Sequence, residues 1–300
     1  MQKYKKNDYT IGFQIKFTIF ASNITIQSTM ERITEQPSKY RHLEKMSVDE
    51  LITNINKEDQ TVALAIEKQL PHISRLITAI ENQLKAGGRL FYLGCGSGGR
   101  LSVLDKIELP NTYGIEKGVI NVILSGGEEN LVLALEETED DEADAWNQLQ
   151  AFQVSVNDFV FGISASGTTP FVLAGLKKCR EHHIPCGCIV GNPDSPIAAA
   201  SDYPIEVITG PEFVTGSTRM KCGTVQKMLF DMISTTVLIR LGRVEDNRMV
   251  NCRLINNKVV DRSVKMLMEK KGLTDYDQAK ELILKFGNVK KSMNYLDSIS

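Results

Sequence analysis

Three short clusters of glycine, serine and threonine carry the residue types that bind phosphate. The first, residues 94–100 (Gly-Cys-Gly-Ser-Gly-Gly-Arg), follows the apolar run 90–93 and precedes residues at helical spacing. A strand, a glycine loop and a helix in that order present backbone N–H groups to an anion. The spacing matches neither a P-loop nor Gly-x-Gly-x-x-Gly, because Arg100 stands where the third glycine belongs. The cluster therefore predicts a phosphate site for a ligand other than a dinucleotide, with a glycine turn made for packing as the alternative.

The second cluster is residues 164–170, Ser-Ala-Ser-Gly-Thr-Thr-Pro, at the end of the apolar run 159–163. Pro170 suits the first turn of a helix, which the pattern predicts over 171–179. At the carboxyl edge of a parallel sheet, hydroxyl side chains make a cradle for a phosphate or for sugar hydroxyls. The cluster supplies such side chains from Ser164, Ser166, Thr168 and Thr169.

The third cluster, residues 215–224, opens an amphipathic helix predicted over 225–241. Its hydroxyl groups and its cations, Arg219 and Lys221, fall where the helix dipole favours an anion. A solvated helix start is the alternative for either cation alone. Together the three clusters favour a single anion site on which the loops converge.

The composition excludes several classes of protein. The chain has 300 residues, of which 42% are hydrophobic and 24% charged, and a net charge of −2. This balance argues against a nucleic-acid partner, and no segment of the sequence has the length and hydrophobicity of a membrane span. The six cysteines lack the spacing of a zinc site. We therefore expect reduced, buried thiols, a cytoplasmic protein, and neither a metal nor another cofactor.

Apolar runs alternate with amphipathic stretches through the middle of the chain. This alternation predicts an α/β fold with a doubly wound parallel five-stranded sheet. The predicted strands are 90–93, 119–124, 159–163, 186–190 and 205–208. Helical periodicity predicts two N-terminal helices, 44–55 and 60–84. A small C-terminal helical subdomain is predicted from helices at 259–271, 274–286 and 289–296.

The predicted organisation has four parts. Residues 1–29 begin with lysines and continue into an apolar run, which Gln14 and Lys16 interrupt, so they do not match a signal peptide. We interpret them as an extension outside the fold, with Met30 as the expected start of the protein. The remaining parts are an N-terminal helical segment, an α/β domain and the C-terminal subdomain, at 30–85, 86–245 and 246–300.

The three clusters also carry a family resemblance. From about Thr34 to its C-terminus the chain resembles sugar isomerase (SIS) proteins, among them the N-acetylmuramic acid 6-phosphate etherases and the glucokinase regulatory protein. The most specific stretch is 215–227, Thr-Gly-Ser-Thr-Arg-Met-Lys-Cys-Gly-Thr-Val-Gln-Lys. Further matches are 93–105, Gly126-Gly127-Glu128, 165–170 and Gly242-Arg243-Val244. The resemblance implies the SIS fold, with 86–245 as the phosphosugar-binding domain.

The resemblance to the etherases implies a reaction and a set of site residues. The reaction is cleavage of the D-lactyl ether at C3 of N-acetylmuramic acid 6-phosphate, which gives N-acetylglucosamine 6-phosphate and D-lactate without a metal. Glu108 and Glu139 match the two catalytic glutamates of the family, and Glu108 matches the proton donor. Single SIS domains usually need a partner to complete their sites, so a homodimer is expected. The residues expected to bind the sugar 6-phosphate are Gly96, Ser97, Gly98, Gly99, Arg100, Ser164, Ser166, Gly167, Thr168, Thr169, Glu212, Ser217, Thr218 and Lys221.

Pattern alone gives the two glutamates a different interpretation. Glu108 stands before Pro110, where a helix is expected to end, and a carboxylate there is usually solvated. Glu139 lies within the acidic run 136–144, which is typical of a solvated face. Only the register of the family assigns chemistry to either of them.

Departures from the family pattern keep other functions open. Ser97-Gly98 replaces Thr-Ser in the first cluster, Ile107 replaces a serine beside the acid, and Thr168 replaces an arginine in the second cluster. These changes favour, as the alternative, a regulator that binds a phosphosugar without turning it over. A ketose–aldose isomerase is a third and more distant hypothesis.

Overall fold

The structure is a computed structural model, and it describes residues 32–133 and 136–299. The extension predicted for residues 1–29 lies outside the described residues. The helices are α1 (Val48–Glu67), α2 (Leu70–Lys85), α3 (Gly96–Thr112), α4 (Asp144–Ala151), α5 (Pro170–Glu181), α6 (Pro196–Ala199), α7 (Lys221–Arg240), α8 (Asn257–Lys271), α9 (Tyr276–Phe286) and α10 (Val289–Ile299). The strands are β1 (Leu90–Gly94), β2 (Ile120–Leu124), β3 (Phe159–Ser164), β4 (Cys186–Val190), β5 (Tyr203–Glu206), β6 (Val244–Glu245) and β7 (Arg248–Met249).

Strands β1 to β5 form one parallel sheet, which confirms the predicted α/β architecture. Their order in the sheet is β2-β1-β3-β4-β5, so the chain builds outward from β1 in one direction and from β3 in the other. Ligands of such sheets bind outside the carboxyl ends of the strands, where the order reverses. Because Gly94 at the end of β1 pairs with Ile163 of β3, the first and second clusters leave the sheet side by side.

Helices cover both faces of the sheet, and alternate side chains of each strand face opposite layers. Leu90 and Tyr92 of β1 pack with α1, α2, α3 and α7, whereas Phe91 and Leu93 pack with α4, α5 and α6. All five residues of β1 are buried, as expected for a strand covered on both sides. The N-terminal helices therefore share one continuous core with the sheet.

The boundary predicted between the first two helices was wrong. The chain continues as α1 to Glu67 and breaks at residues 68–69, because Pro71 fits only the first turn of a helix. The start of α1 is set by Ser47, whose Oγ accepts the backbone N–H of Glu50 at 3.3 Å. The Glu50 carboxylate accepts the N–H of Ser47 in return, at 2.7 Å, so the two residues form a capping box.

Other boundaries agree with the sequence to within a few residues. Pro170 begins α5 as predicted, and α7 begins four residues earlier than predicted. The last strand of the sheet, β5, lies two residues earlier than predicted. Helices α8 to α10 enclose a small apolar core of their own around Leu267 and Ile283, which confirms the C-terminal helical subdomain. The domain boundaries at 85 and 245 stay predictions.

Candidate functional site

The first cluster forms the opening turn of helix α3. Since α3 begins at Gly96, residues 96–98 supply N–H groups that have no partner within the helix, whereas the N–H of Gly99 donates to the backbone oxygen of Cys95 at 2.9 Å. A Cβ at Gly99 would lie 2.5 Å from Leu124 Cδ1 and 2.9 Å from the carbonyl carbon of Gly94. The absence of a side chain at Gly99 therefore lets the positive end of the helix dipole lie against the end of β1.

The second cluster is a turn whose hydroxyl groups hold one another in place. Ser164 Oγ lies 2.9 Å from Thr169 Oγ1 and 3.3 Å from Ser166 Oγ. The backbone N–H of Gly167 donates to Ser164 Oγ at 3.0 Å, and that of Thr168 donates to Ser166 Oγ at 3.2 Å. Gly167 has a φ of 74°, a conformation in which a side chain would be strained. The turn thus presents several hydroxyl oxygens close together.

The loops surround a cavity of about 240 Å³ at the carboxyl edge of the sheet. Five hydroxyl side chains line it, whereas no lysine or arginine of the described residues does. The donors that the cavity offers to an anion are therefore hydroxyls, backbone N–H groups and the N-terminus of α3. The residues of the predicted site that line the cavity are Gly96, Ser97, Gly98, Glu139, Ser164, Ser166, Thr169 and Thr218.

Eight residues of the predicted site lie outside the lining of the cavity. Gly99 and Gly167 shape the two turns just described, and Thr168 donates to Ser166. The Arg100 guanidinium donates to the backbone oxygens of Leu131 and Leu133, at 3.3 and 2.9 Å, so it holds the segment after β2. The others are Glu108, Glu212, Ser217 and Lys221.

Lys221 and Glu212 make contacts inside the protein. The side chain of Lys221 is 1% exposed, and its Nζ lies 2.7 Å from Glu58 Oε2 and 2.7 Å from the backbone oxygen of Thr209. The Glu212 carboxylate accepts the N–H groups of Lys221 and Cys222, at 2.8 and 2.9 Å. Glu212 thus satisfies the first turn of α7, and Lys221 joins α7 to α1.

Glu58 is the carboxylate at the centre of this buried cluster. Besides Lys221, it accepts from Lys39 Nζ, at 3.2 Å to both oxygens, and from the Tyr40 hydroxyl at 3.2 Å. Burial would raise the pKa of Glu58, but the two ammonium groups outweigh it and lower that pKa below its usual value. Glu58 is therefore a charged anchor between the N-terminal segment and α7.

Glu108 lies on the outer face of α3, away from the cavity. The helix does not end before Pro110, as the sequence suggested, but continues through it to Thr112. Glu108 is exposed, and so are its apolar neighbours Leu104 and Ile107, at 39% and 56%. Glu139, in contrast, lies in the cavity lining. Within one chain the two predicted catalytic glutamates therefore do not lie in one cavity.

A buried carboxyl group fixes helix α3 against the sheet and against α7. Asp105 is 6% exposed and accepts hydrogen bonds from the Tyr92 hydroxyl and from Ser234 Oγ, each at 3.0 Å. Burial raises the pKa of Asp105 to about 6, against the lowering effect of the two hydrogen bonds. This network positions the helix whose first turn lines the cavity.

Two polar residues that the sequence analysis did not select also line the cavity. Gln226 lies in the most specific stretch of the family resemblance, so its position was a usable signal. Its Oε1 lies 3.1 Å from the place that a Cβ would take at Gly98. Glu35 comes from the segment before α1, outside the three clusters.

The cysteines and acidic residues give the described residues no metal centre. All six cysteines are free and buried, and burial raises the pKa of Cys186 to about 12 and that of Cys188 to about 11. Among residues 32–133 and 136–299, no three His, Cys, Asp or Glu side chains are grouped to hold a metal ion. Nor does any helix in that part of the chain have both the length and the apolar surface to cross a membrane.

Several known proteins are similar to this chain. Residues 72–180 match the family model of the glucokinase regulatory protein N-terminal SIS domain. The chain is 50% identical over 263 residues to N-acetylmuramic acid 6-phosphate etherase of Bacteroides fragilis, covering 88% of this chain and 93% of that protein. It is 49% identical over 261 residues to the same-named protein of Christiangramia forsetii, covering 87% and 95%. A phosphoheptose isomerase structure from Francisella tularensis aligns with a TM-score of 0.48 at 16% identity, over 63% of this chain and 99% of that one.

Proposed function

This chain belongs to the N-acetylmuramic acid 6-phosphate etherase family, and we propose that it cleaves the D-lactyl ether of N-acetylmuramic acid 6-phosphate. The products are N-acetylglucosamine 6-phosphate and D-lactate, so the protein is a carbon–oxygen lyase. The observation that carries this proposal is the close match to etherases over nearly their whole length. The hydroxyl-lined cavity at the sheet edge also supports the proposal, because ligands of such sheets bind there.

The phosphate binds at the junction of the first two clusters. Ser97, Ser166 and Thr169 line the cavity there, together with the first turn of α3. Hydrogen bonds from hydroxyls and N–H groups to a charged phosphate are stronger than those between neutral groups. They replace the lysine or arginine that many phosphate sites use. The site binds the phosphate by converging donors and the helix dipole.

The chemistry is an elimination followed by the addition of water. In the open-chain sugar the C1 aldehyde acidifies the C2 proton, which a carboxylate removes as base. The C3–O bond then breaks, and a carboxylic acid protonates the departing lactate oxygen. Water adds across the C2–C3 double bond, with its oxygen at C3 and a proton at C2, and the ring closes. The two carboxyl groups implied by the family are Glu108 and Glu139, and each contributes to acid–base catalysis.

The active form is a homodimer. The exposed surface of α3 around Glu108 includes Leu104 and Ile107, at 39% and 56% exposure. A second copy that covers this apolar surface would remove Glu108 from water, which a single chain does not do. Light scattering at micromolar concentration should give twice the monomer mass of 33.4 kDa. A monomer mass under conditions in which the protein is active would refute this assembly.

The decisive experiment is incubation with N-acetylmuramic acid 6-phosphate and an assay for released D-lactate. In D₂O, deuterium should appear at C2 of the product, because the proton is exchanged during the cycle. Glu108→Gln and Glu139→Gln should each lose roughly 10²–10⁴-fold in turnover while product binding survives. Glu137→Gln is the matched control, because Glu137 is an exposed member of the same acidic run.

The alternative is a phosphosugar-binding regulator, and two observations favour it. The family model matched by residues 72–180 describes a regulatory protein, and Glu108 lies outside the cavity of the single chain. A parent protein that binds the sugar phosphate but neither releases lactate nor exchanges the C2 proton would establish this alternative. A cytoplasmic location is part of the proposal for either function, because all six cysteines are free thiols.

A further inference from the structure

Glu35 brings a second carboxylate to the cavity in which Glu139 lies. It belongs to residues 32–45, which precede α1 and which we name the N-terminal strap. Its side chain forms no hydrogen bond or ion pair with the residues that the structure describes. The catalytic roles proposed above do not account for a carboxylate at this place.

The strap is fixed to the second cluster on one side of Glu35. Thr34 is 1% exposed, and its N–H donates to Asn192 Oδ1 at 3.1 Å. The amide group of Asn192 donates back to Thr34 Oγ1 at 3.0 Å and also to the backbone oxygen of Ser166 at 2.9 Å. One buried amide therefore joins the strap to the turn that carries the phosphate-binding hydroxyls.

The strap is fixed again on the other side, against the chain that leads into the third cluster. The N–H of Ser38 donates to Thr215 Oγ1 at 2.9 Å, and its hydroxyl donates to the backbone oxygen of Phe213 at 2.7 Å. The rings of Tyr40 and Phe213 pack at 5.0 Å between centroids. Glu35 is held between these two attachments, so hydrogen bonds on both sides fix its place in the cavity.

The position of Glu35 indicates which part of a ligand it meets. Its Oε2 lies 3.3 Å from the place that a Cβ would take at Gly216, in the third cluster. The phosphate-binding hydroxyls come from the first and second clusters. A carboxylate repels a phosphate, whereas it accepts hydrogen bonds strongly from neutral hydroxyl and amide donors. Glu35 therefore suits the uncharged part of the sugar.

We propose that Glu35 is a specificity-determining residue, whose carboxylate accepts a hydrogen bond from a ring hydroxyl or from the acetamido N–H of the bound sugar phosphate. The proposal rests on the proposed function for the class of ligand, and it adds the element that distinguishes a sugar phosphate from a bare phosphate. The strap lies outside the sheet, so the segment of the chain that recognises the sugar differs from the segments that bind the phosphate.

The test is equilibrium binding by titration calorimetry, with three probes and no turnover. Glu35→Gln should weaken the binding of N-acetylglucosamine 6-phosphate roughly tenfold to a hundredfold, because the acceptor of the hydrogen bond loses its charge. The Kd of Glu35→Gln for inorganic phosphate should stay within about twofold of the parent's Kd. With glucose 6-phosphate as the third probe, an equal loss assigns a ring hydroxyl as the donor. A loss confined to the acetamido sugar assigns the amide N–H.

Glu44→Gln is the matched control, because Glu44 lies on the same strap, is exposed and does not line the cavity. It should bind all three probes as the parent does. Glu35 is itself exposed, so Glu35→Gln should unfold at the parent's temperature. Unchanged binding of N-acetylglucosamine 6-phosphate by Glu35→Gln would overturn the proposal. An equal loss for inorganic phosphate would also overturn it, because Glu35 would then act on the whole site.

These results are separable from the fate of the proposed function. A parent that binds the sugar phosphate, loses that binding in Glu35→Gln and releases no lactate refutes the etherase activity and supports the role of Glu35. If the parent releases lactate and Glu35→Gln keeps full affinity for the sugar phosphate, the etherase activity is supported and the role of Glu35 is refuted. A parent that binds none of the sugar phosphates overturns both.

Discussion

Replacing Lys221 with methionine removes an ammonium group that the structure buries inside the protein. The sequence placed Lys221 among the substrate-binding residues, whereas the structure pairs its Nζ with Glu58 and with the backbone oxygen of Thr209. The substitution therefore distinguishes a ligand contact from an internal anchor. Methionine keeps most of the volume of the side chain, so the change is mainly one of charge and hydrogen bonding.

The expected cost follows from the partners that remain. Removing one member of a buried ion pair destabilises a protein by about 3–5 kcal/mol, because the other charge is left uncompensated. Here Glu58 keeps Lys39 at 3.2 Å and the Tyr40 hydroxyl at 3.2 Å, which favours the lower end of that range. We expect Lys221→Met to lose about 3 kcal/mol of the free energy of unfolding and about 6–12 °C in Tm.

The assay pairs chemical and thermal unfolding with binding of N-acetylglucosamine 6-phosphate. Lys227→Met is the matched control on the same helix, because its ion pair with Asp231 joins side chains that are 41% and 58% exposed. Such a surface pair contributes less than about 1 kcal/mol. The reasoning is refuted if Lys221→Met is as stable as the parent yet no longer binds the sugar phosphate. That result would mean that the ammonium group reaches the ligand.

Two further predictions concern the phosphate and the buried Asp105. Ser166→Ala should weaken glucosamine 6-phosphate by about 1.5–3 kcal/mol, measured by calorimetry, because it removes a hydrogen bond to a charged group; an unchanged Kd would contradict the assignment. Burial raises the pKa of Asp105 from its usual 3.8 to about 6, so the stability that this group contributes is present below pH 4 and is lost as the pH rises through 6. Between pH 4 and pH 7 the free energy of unfolding of the parent, measured with urea, should fall by up to about 3 kcal/mol because of this group, and in Asp105→Asn that fall should be absent. The same pH slope in both proteins would contradict it.

The hydroxyl-lined half of the cavity could be predicted from local pattern. A buried strand followed by glycines or hydroxyls specifies a turn at the carboxyl edge of a parallel sheet, whatever the rest of the chain does. The hydroxyls of Ser97, Ser166 and Thr169 accordingly line one cavity. The alternation of runs likewise predicted the sheet, since strands covered on both faces need continuous apolar sequence.

Helix boundaries were predicted less well. One boundary had a local signal in the sequence, and the other depends on tertiary packing. Pro71 marks the start of α2, and the longer helix predicted over 60–84 passed over it. Pro110 suggested an end to α3, yet the helix continues to Thr112. A proline in the last turn costs one backbone hydrogen bond, and tertiary packing of the same helix, through Asp105 and Leu109, outweighs that cost.

By itself, the sequence determined the order of strands and helices and the positions of the glycine- and hydroxyl-rich turns, because each depends on residues close together in the chain. Only the tertiary structure decided where the ionisable side chains point. Lys221 meets Glu58 across 163 positions of the chain, and Thr34 meets Asn192 across 158. Those contacts turn one predicted ligand-binding cation into an internal anchor and bring Glu35 into the cavity. The physical reason is that burial and charge pairing depend on which elements pack together, and no local pattern contains that information.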